Sequence, residues 1–324
     1  MTQSNQTFEL IVDSASHGKR IDQFLTRHFR NYSPQRMLRL ASFGCIEVNG
    51  LRATSTQIVY QHQRVTVRLL DPPDKLYDPE PIDFEIIFED PWLIVINKPV
   101  GLVAHPVGQF DAGTLANAVQ HHLDQTGVAR GLIRPGIVHR LDRETSGVIV
   151  MTKEHTAHRG LMSQFEHHQT SKSYLALVEG IVCEDEQFID KPIGRLADWT
   201  CPLMSAQSDA RQAKSAYTYV SVIRRFAKHT LVEASLFTGR QHQIRVHLAS
   251  IGHPLVDDPD YAAHGKIKSE SDEARRINRV GLLGRQALHA WRITFNHPID
   301  GRMLWFEAAM PTDFVNAIDT IGRV

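Results

Sequence analysis

The chain has 324 residues, 42% of them hydrophobic, which is enough to bury a sizeable core in one large domain with a smaller companion. Lys plus Arg and Asp plus Glu both number 36, so overall charge points to no particular polyanionic partner. No apolar run of about 18 residues occurs and Met1–Glu9 is polar, which argues against a membrane helix and a secretory signal and makes a cytoplasmic protein the expectation. Cys45, Cys183 and Cys201 are far apart and form no Cys-x-x-Cys pair, which argues against a zinc ribbon, a redox motif or a disulfide framework.

Charge is uneven along the chain. From Met1 to Leu70 nine Lys/Arg stand against four Asp/Glu, whereas Asp71–Asn97 carries eight acids and the one cation Lys75, so a basic module precedes an acidic connector. In the module, Ile21, Phe24, Leu25 and Phe29 recur near helical spacing with Asp22 in the first turn, which predicts an amphipathic helix over Arg20–Phe29. Ser33 as N-cap and Pro34 in the first turn open a second helix through Met37, Leu38 and Leu40 to Phe43, where Gly44 stops it. Arg36 and Arg39 lie on its other face. Ile46, Val48, Asn49-Gly50 and Leu51 read as a strand and a type I′ turn, whose central positions need positive φ, and Val65–Leu70 supplies another strand. Pro72, Pro73, Pro79 and Pro81 then disfavour regular structure. The expected organisation is a module over 18–70, an acidic Pro-rich linker over 71–83 and a larger domain over 84–324.

Two short helices, the turn Gly44-Cys45-Ile46-Glu47-Val48-Asn49-Gly50 and a closing strand resemble the S4-like RNA-binding domain over Lys19–Leu70. The resemblance implies a small α/β module in which Arg36 and Arg39 contact phosphates, which give affinity and register rather than sequence choice. Solvated helix arginines are the plainer reading. The chain departs from the pattern after the turn, where Leu51–Thr56 lacks the customary lysine and Gln61-His62-Gln63 replaces a Gly-Asp turn.

Beyond the linker, Phe84–Phe88 and Trp92–Asn97 have strand character around the turn Asp90-Pro91, Lys98–Pro106 is an extended loop, and Thr114–Leu123 is a helix. Ser173–Val178, Ala216–Val222, Thr230–Leu236, Trp291–Phe295 and Leu304–Ala308 read as strands, and His155–Phe165, Gln241–Ser250 and Thr312–Ile321 as helices. The irregular spacing predicts an α+β domain rather than successive βαβ units. No Gly-x-Gly-x-x-Gly or Gly-x4-Gly-Lys phosphate loop occurs, so neither NAD nor ATP is expected.

The runs Ile137–Leu141 and Val148–Thr152 have strand composition, and from within the first to the start of the second runs His139-Arg140-Leu141-Asp142-Arg143-Glu144-Thr145-Ser146-Gly147. A carboxylate between two arginines, at the end of a strand and before a turn, reads as an active-site loop, although an isolated Asp there is more often a turn or capping residue. The loop resembles the active-site motif of RluA-type RNA pseudouridine synthases. Three further segments agree in order: Lys98-Pro99-Val100-Gly101-Leu102 with His105-Pro106, then Lys172–Val178 around Tyr174, then Gly239–Ala249 with Gly252–Leu255. Leu288-His289-Ala290 and His297-Pro298 extend the match, which spans about residues 84 to 310.

The resemblance implies a mixed, largely antiparallel sheet with flanking helices and an isomerase that converts uridine to pseudouridine in structured RNA, most of all large-subunit rRNA. A tRNA substrate and a non-catalytic RNA-binding or ribosome-assembly factor are the alternatives. Carried over residue by residue, it makes Asp142 the catalytic carboxylate, Tyr174 the aromatic that stacks on the target uracil, and Arg245 the partner of Asp142. Arg140 would help evict the base, with His139 and Ile244 also at the substrate, because a stacked nucleotide must be extruded to be reached. Arg143 has no implied role. No redox step or group donor enters, so the expectation is no cofactor, no nucleotide or membrane partner, and a monomer.

Taken singly, Tyr174 would be a core ring and Arg245 a cation on a helix face beside Ile244, Leu248 and Ile251. The pairs His155/His158, His167/His168 and His242/His247 lack a His-Glu-x-x-His or clustered Cys/His pattern, and no metal is expected. Asp257–Ala262 stands where the family has Gly-Asp-x-x-Tyr-Gly, with Asp257 in place of glycine; Asp tolerates positive φ better than most residues. Lys266–Arg279 is a charged insertion that reads as a solvated loop.

Overall fold

The computed structural model describes residues 6–29, 34–69, 77–107, 112–126, 135–196, 203–261, 263–265 and 281–323. These fall into two compact units, one up to residue 69 and one from Tyr77 onward.

The first unit contains β1 (Gln6–Ile11), β2 (Lys19–Arg20), α1 (Ile21–His28), α2 (Pro34–Ser42), β3 (Ile46–Val48), β4 (Leu51–Arg52), β5 (Ile58–Val59) and β6 (Arg64–Leu69). β1, β6, β3 and β4 form an antiparallel sheet in that order, and β2 pairs with β5. Val65, Val67 and Leu69 are buried along β6 in alternation with Arg64, Thr66 and Arg68, so one face packs on Ile21, Phe24 and Leu25 of α1 and Met37 and Leu40 of α2. Asn49 and Gly50 take φ of 51° and 78° and join Val48 to Leu51, as a type I′ turn requires. β1 extends this unit upstream of the expected start at residue 18. Its alternation holds only Phe8 and Leu10, and pairing with β6, from Gln6↔Leu69 to Ile11↔Arg64, is what makes it a strand. The Ser33 cap, Leu70 and positions 71–76 lie outside the described residues.

The second unit runs β7 (Glu85–Glu89), β8 (Leu93–Lys98), α3 (Leu115–Thr126), β9 (Gly136–Ile137), β10 (Ser146–Thr152), α4 (His155–Glu166), β11 (Ser171–Glu179), β12 (Glu186–Asp190), β13 (Ile193–Arg195), β14 (Met204–Ser205), β15 (Arg211–Lys214), β16 (Tyr217–Arg225), β17 (His229–Leu236), α5 (Gln243–Ser250), β18 (Leu288–Asn296), β19 (Met303–Glu307) and α6 (Thr312–Gly322). Its main sheet has the order β12-β16-β17-β11-β18-β10-β8-β7, with β19 on β18 and β9 on β10. Among the described strands of this sheet β10 and β18 pair in parallel, at Ser146↔His289 and Gly147↔Ala290, and the other pairs are antiparallel. This is the mixed, largely antiparallel α+β architecture expected. Residues 77–83, expected in the linker, pack with this unit: Asn117 Nδ2 donates to Asp78 O at 2.8 Å, and Glu80 Oε1 accepts from Gly113 N at 2.8 Å.

β10 is buried along its whole length, which is why it is an unbroken apolar run rather than an alternating one. β11 is buried on both faces. Tyr174, Ala176 and Val178 join a core with Ile244 and Leu248 of α5, while Leu175 and Leu177 pack on Phe314 and Ile321 of α6. The period of two therefore turns Tyr174 to the α5 side of the sheet.

Two expectations need correction. Strand structure does not continue from Ile137 to Leu141: β9 ends at Ile137, and Asp142 stands in the following loop instead of at a strand end. His139 Nε2 accepts the Val150 N–H at 3.0 Å, so a side chain takes the donor that a neighbouring strand's carbonyl would have taken. Strands β12 to β15 were not foreseen, because they are short and β15 is exposed at all four positions, leaving no apolar alternation to read. Ala262 and the 266–279 insertion lie outside the described residues. No helix among the described residues is long and apolar enough to cross a membrane.

Candidate active site

The Asp142 loop is held by groups from two other segments, 98–102 and Arg285. Lys98, buried at the end of β8, donates to Pro99 O and Leu102 O at 2.8 Å and to Arg143 O at 3.1 Å. Burial pushes its ammonium down to about 7, against the pull of Glu144 and Asp142. Arg143 Nε donates to Gly101 O and Gly101 N to Arg143 O, both at 3.0 Å, so Arg143 fastens this loop to the Lys98–Leu102 segment. From the far side, Arg285 Nη1 donates to Glu144 O at 3.1 Å while its Nε grips Asp313 of α6 at 2.7 Å.

Where the loop enters β10, Gly147 has φ of 112° and a Cβ there would clash with Ala290 O, so the close parallel approach to β18 requires glycine. Beside it, His289 Nε2 meets the acceptor Ala308 O at 3.0 Å, which leaves Nδ1 to accept from Ser146 Oγ at 2.9 Å.

An open pocket brings together Asp142, Tyr174, Arg245, Arg140 and Ile244, with Thr145 and His242 also in its lining. Tyr174 is 8% exposed, and burial followed by the Asp142 charge pushes its phenol up, so it is neutral. Ile244 forms an apolar wall and Arg140 is exposed. The Thr145 hydroxyl is buried and has no hydrogen-bond partner among the described residues.

His139 does not line this pocket. Its ring stacks on Phe165 at 4.9 Å, its Nε2 serves Val150, and burial followed by the Lys172 charge lowers its pKa to about 3. It braces the loop. Arg36 and Arg39 are positions on α2 of the first unit, and their side chains lie outside the description.

Gln243 fixes the start of α5. Its Oε1 accepts from Thr238 Oγ1 and Arg240 N at 2.9 Å, and its Nε2 donates to Tyr217 O at 2.9 Å and Thr218 Oγ1 at 3.0 Å. Two positions on, the buried Arg245 forks onto Asp258 and reaches Asp260 Oδ2 at 2.6 Å, with the Tyr261 ring 4.8 Å from the guanidinium. Arg245 Nη1 stands 3.7 Å from Asp142 Oδ2. Burial works against the Arg245 charge but Asp258, then Asp142 and Asp260, outweigh it and raise its pKa. Burial likewise pushes Asp258 up, yet the Arg245 charge and hydrogen bond hold it below the usual carboxylate range. Asp142 is thus the longest of three carboxylate contacts, not the sole partner of Arg245.

The supporting residues Asp258 and Tyr261 sit in the Asp257–Ala262 segment, where the Asp and Tyr of the family pattern were visible but their partners were not. Asp257 itself has φ of 56°, and its Oδ2 accepts from Leu283 N at 2.7 Å and Gly284 N at 3.0 Å. In the place of a glycine it both adopts the left-handed turn and anchors the chain at 283–284.

Residues 92–250, which include Asp142, Tyr174 and Arg245, match the family described as RNA pseudouridylate synthase. The chain is 37% identical to a ribosomal large subunit pseudouridine synthase D of Nitrosomonas europaea, over 99% of this chain and 90% of that protein. It is 34% identical to an uncharacterised RNA pseudouridine synthase of Bacillus subtilis, over 97% of this chain and 98% of that protein. Among solved structures it is similar to human RNA pseudouridylate synthase domain containing 4, at 25% identity and a TM-score of 0.52, over 73% of this chain and 92% of that one. Likeness along nearly the full length, with the pocket residues inside the matched region, means that the chain belongs to the RluA-type family of RNA pseudouridine synthases, isomerases that act on uridine in RNA.

Proposed function

We propose that this enzyme isomerises uridines of large-subunit ribosomal RNA, with Asp142 as the catalytic carboxylate and the target nucleotide flipped out of its stack. The observation that carries the reading is the convergence of Asp142, Tyr174 and Arg245 on one pocket. The name of the Nitrosomonas europaea relative supports the substrate class.

In the conversion the N1–C1′ bond of uridine breaks, the uracil turns while held, and C5 bonds to C1′. C5 loses a proton and N1 gains one, so composition and oxidation state are unchanged. Asp142 is the group placed to attack the base or sugar or to assist departure of uracilate, with Arg245 orienting it. Tyr174 offers a flat, neutral ring to the extruded base, and Arg140 can fill the gap left in the RNA. Extrusion costs a few kcal/mol, which these contacts offset. The first unit is read as an S4-like module in which Arg36 and Arg39, three positions apart on one face of α2, bind phosphates.

Asp142→Asn tests the catalytic role. Tritium release from RNA labelled at uridine C5 should fall to background while RNA affinity stays within about tenfold, since the substitution removes a charge and not a phosphate contact. Equal release by both proteins would sink the assignment. Mapping pseudouridines in cells lacking the gene should find them missing from large-subunit rRNA; loss from tRNA alone would overturn the substrate class.

A further inference from the structure

We propose that His242 is a positioning residue for Asp142: it presents a neutral imidazole Nε2–H to Oδ1 of the carboxylate while Arg245 faces Oδ2. The proposal rests on the reading of Asp142 as the catalytic carboxylate. His242 Nε2 lies 3.9 Å from Asp142 Oδ1, and Arg245 Nη1 lies 3.7 Å from Oδ2, so the two carboxylate oxygens face two different donors.

The backbone is arranged for this purpose and not for starting a helix. His242 occupies the N-cap of α5 with φ of 54° and ψ of 20°, a left-handed conformation, and its side chain makes no capping hydrogen bond. Ser, Thr, Asp or Asn would serve a helix start better. Here the ring instead enters the pocket, and mild backbone strain accompanies it.

Tyr261 decides which ring nitrogen carries the proton. Its Oη accepts the Met204 N–H at 3.0 Å, so the hydroxyl proton is directed at His242 Nδ1, 2.7 Å away. An Nδ1 that accepts leaves the proton on Nε2, the nitrogen that faces Asp142. The charged groups around the ring are Asp142, Arg245, Asp258 and Asp260, and burial, the largest influence, keeps the imidazole neutral. A neutral donor can turn the carboxylate without adding a second positive charge beside Arg245, whose own charge Asp258 and Asp260 already compensate. The 3.9 Å gap exceeds a good hydrogen bond by about 1 Å, and such contacts tighten when substrate fills a site.

The direct test is nitrogen NMR of histidine-labelled enzyme, with the His242 signals assigned by their loss in His242→Gln. The expected result is an Nε2–H tautomer, and an Nδ1–H tautomer overturns the proposal. Tyr261→Phe should shift the signals toward a mixture, and unchanged signals would also overturn it. This measurement stands even if other variants fold poorly.

Kinetically, His242→Ala should lower kcat about 10- to 100-fold with KM unchanged, the scale of one hydrogen bond to a charged group. His242→Gln, whose side-chain N–H can reach the same point, should recover most of the rate. An alanine variant with full kcat, or a glutamine variant no better than alanine, overturns the positioning role. Full activity in Asp142→Asn would instead sink the reading beneath it, an outcome on which the tautomer measurement does not depend.

Discussion

Arg245 turns the fork of its guanidinium to Asp258, with Nε–Oδ2 at 2.8 Å and Nη2–Oδ1 at 2.7 Å, and leaves only Nη1 for Asp142. The arginine is therefore aimed by a buried carboxylate that does not line the pocket.

Asp258→Asn should strip most of the compensation from a buried cation. The expected outcome is a loss of about 3 kcal/mol in stability, the scale for breaking one side of a buried pair. As the guanidinium relaxes toward Asp142, kcat should fall by at least about tenfold, the effect of a 1.4 kcal/mol change in the barrier. Urea denaturation and turnover measured on the same preparation check both, and a variant matching the wild type in each contradicts this role for Asp258.

Tyr174 separates ring from hydroxyl. Because the phenol is buried and neutral, Tyr174→Phe should keep kcat/KM within about tenfold, whereas Tyr174→Ala should lose about 10- to 100-fold, equivalent to the 1–3 kcal/mol of stacking one base on an aromatic ring. Loss of all activity in the phenylalanine variant would contradict a stacking role and give the hydroxyl a chemical one.

His139 makes acid stability a test of loop bracing. Its pKa falls from 6.5 to about 3 in the folded state because the ring is buried and Lys172 is near, and its Nε2 must stay unprotonated to accept from Val150. The unfolded chain binds the proton first, so this contribution to stability is present above pH 6.5 and is lost as the pH falls toward 3. Denaturation midpoints between pH 7 and 4.5 should drop more steeply for the wild type than for His139→Gln. Parallel slopes would contradict the arrangement.

The elements legible in the sequence are those whose own pattern carries the cause of their structure. β8, β10 and β11 carry apolar runs because they are buried on both faces, and α4 and α6 repeat their apolar positions at helical spacing. β1, β2, β5 and β12 to β15 are not legible in this way. They hold at most three apolar positions, and β2 none, and the donors and acceptors that complete them belong to strands elsewhere in the chain.

In the site, the ordered segments around Asp142, Tyr174 and Arg245 identify the chemistry without coordinates, because each residue type is required at a fixed place in its own motif. The sequence by itself also showed that Asp257 could take a glycine's conformation, because Asp tolerates positive φ better than most residues. Only the tertiary structure decided that His139 stands behind the pocket and His242 inside it, and that Arg285 grips Glu144 across 141 positions of sequence. A motif specifies which groups are present. The direction each group points is set by packing and hydrogen bonding between segments that meet only after the chain has folded.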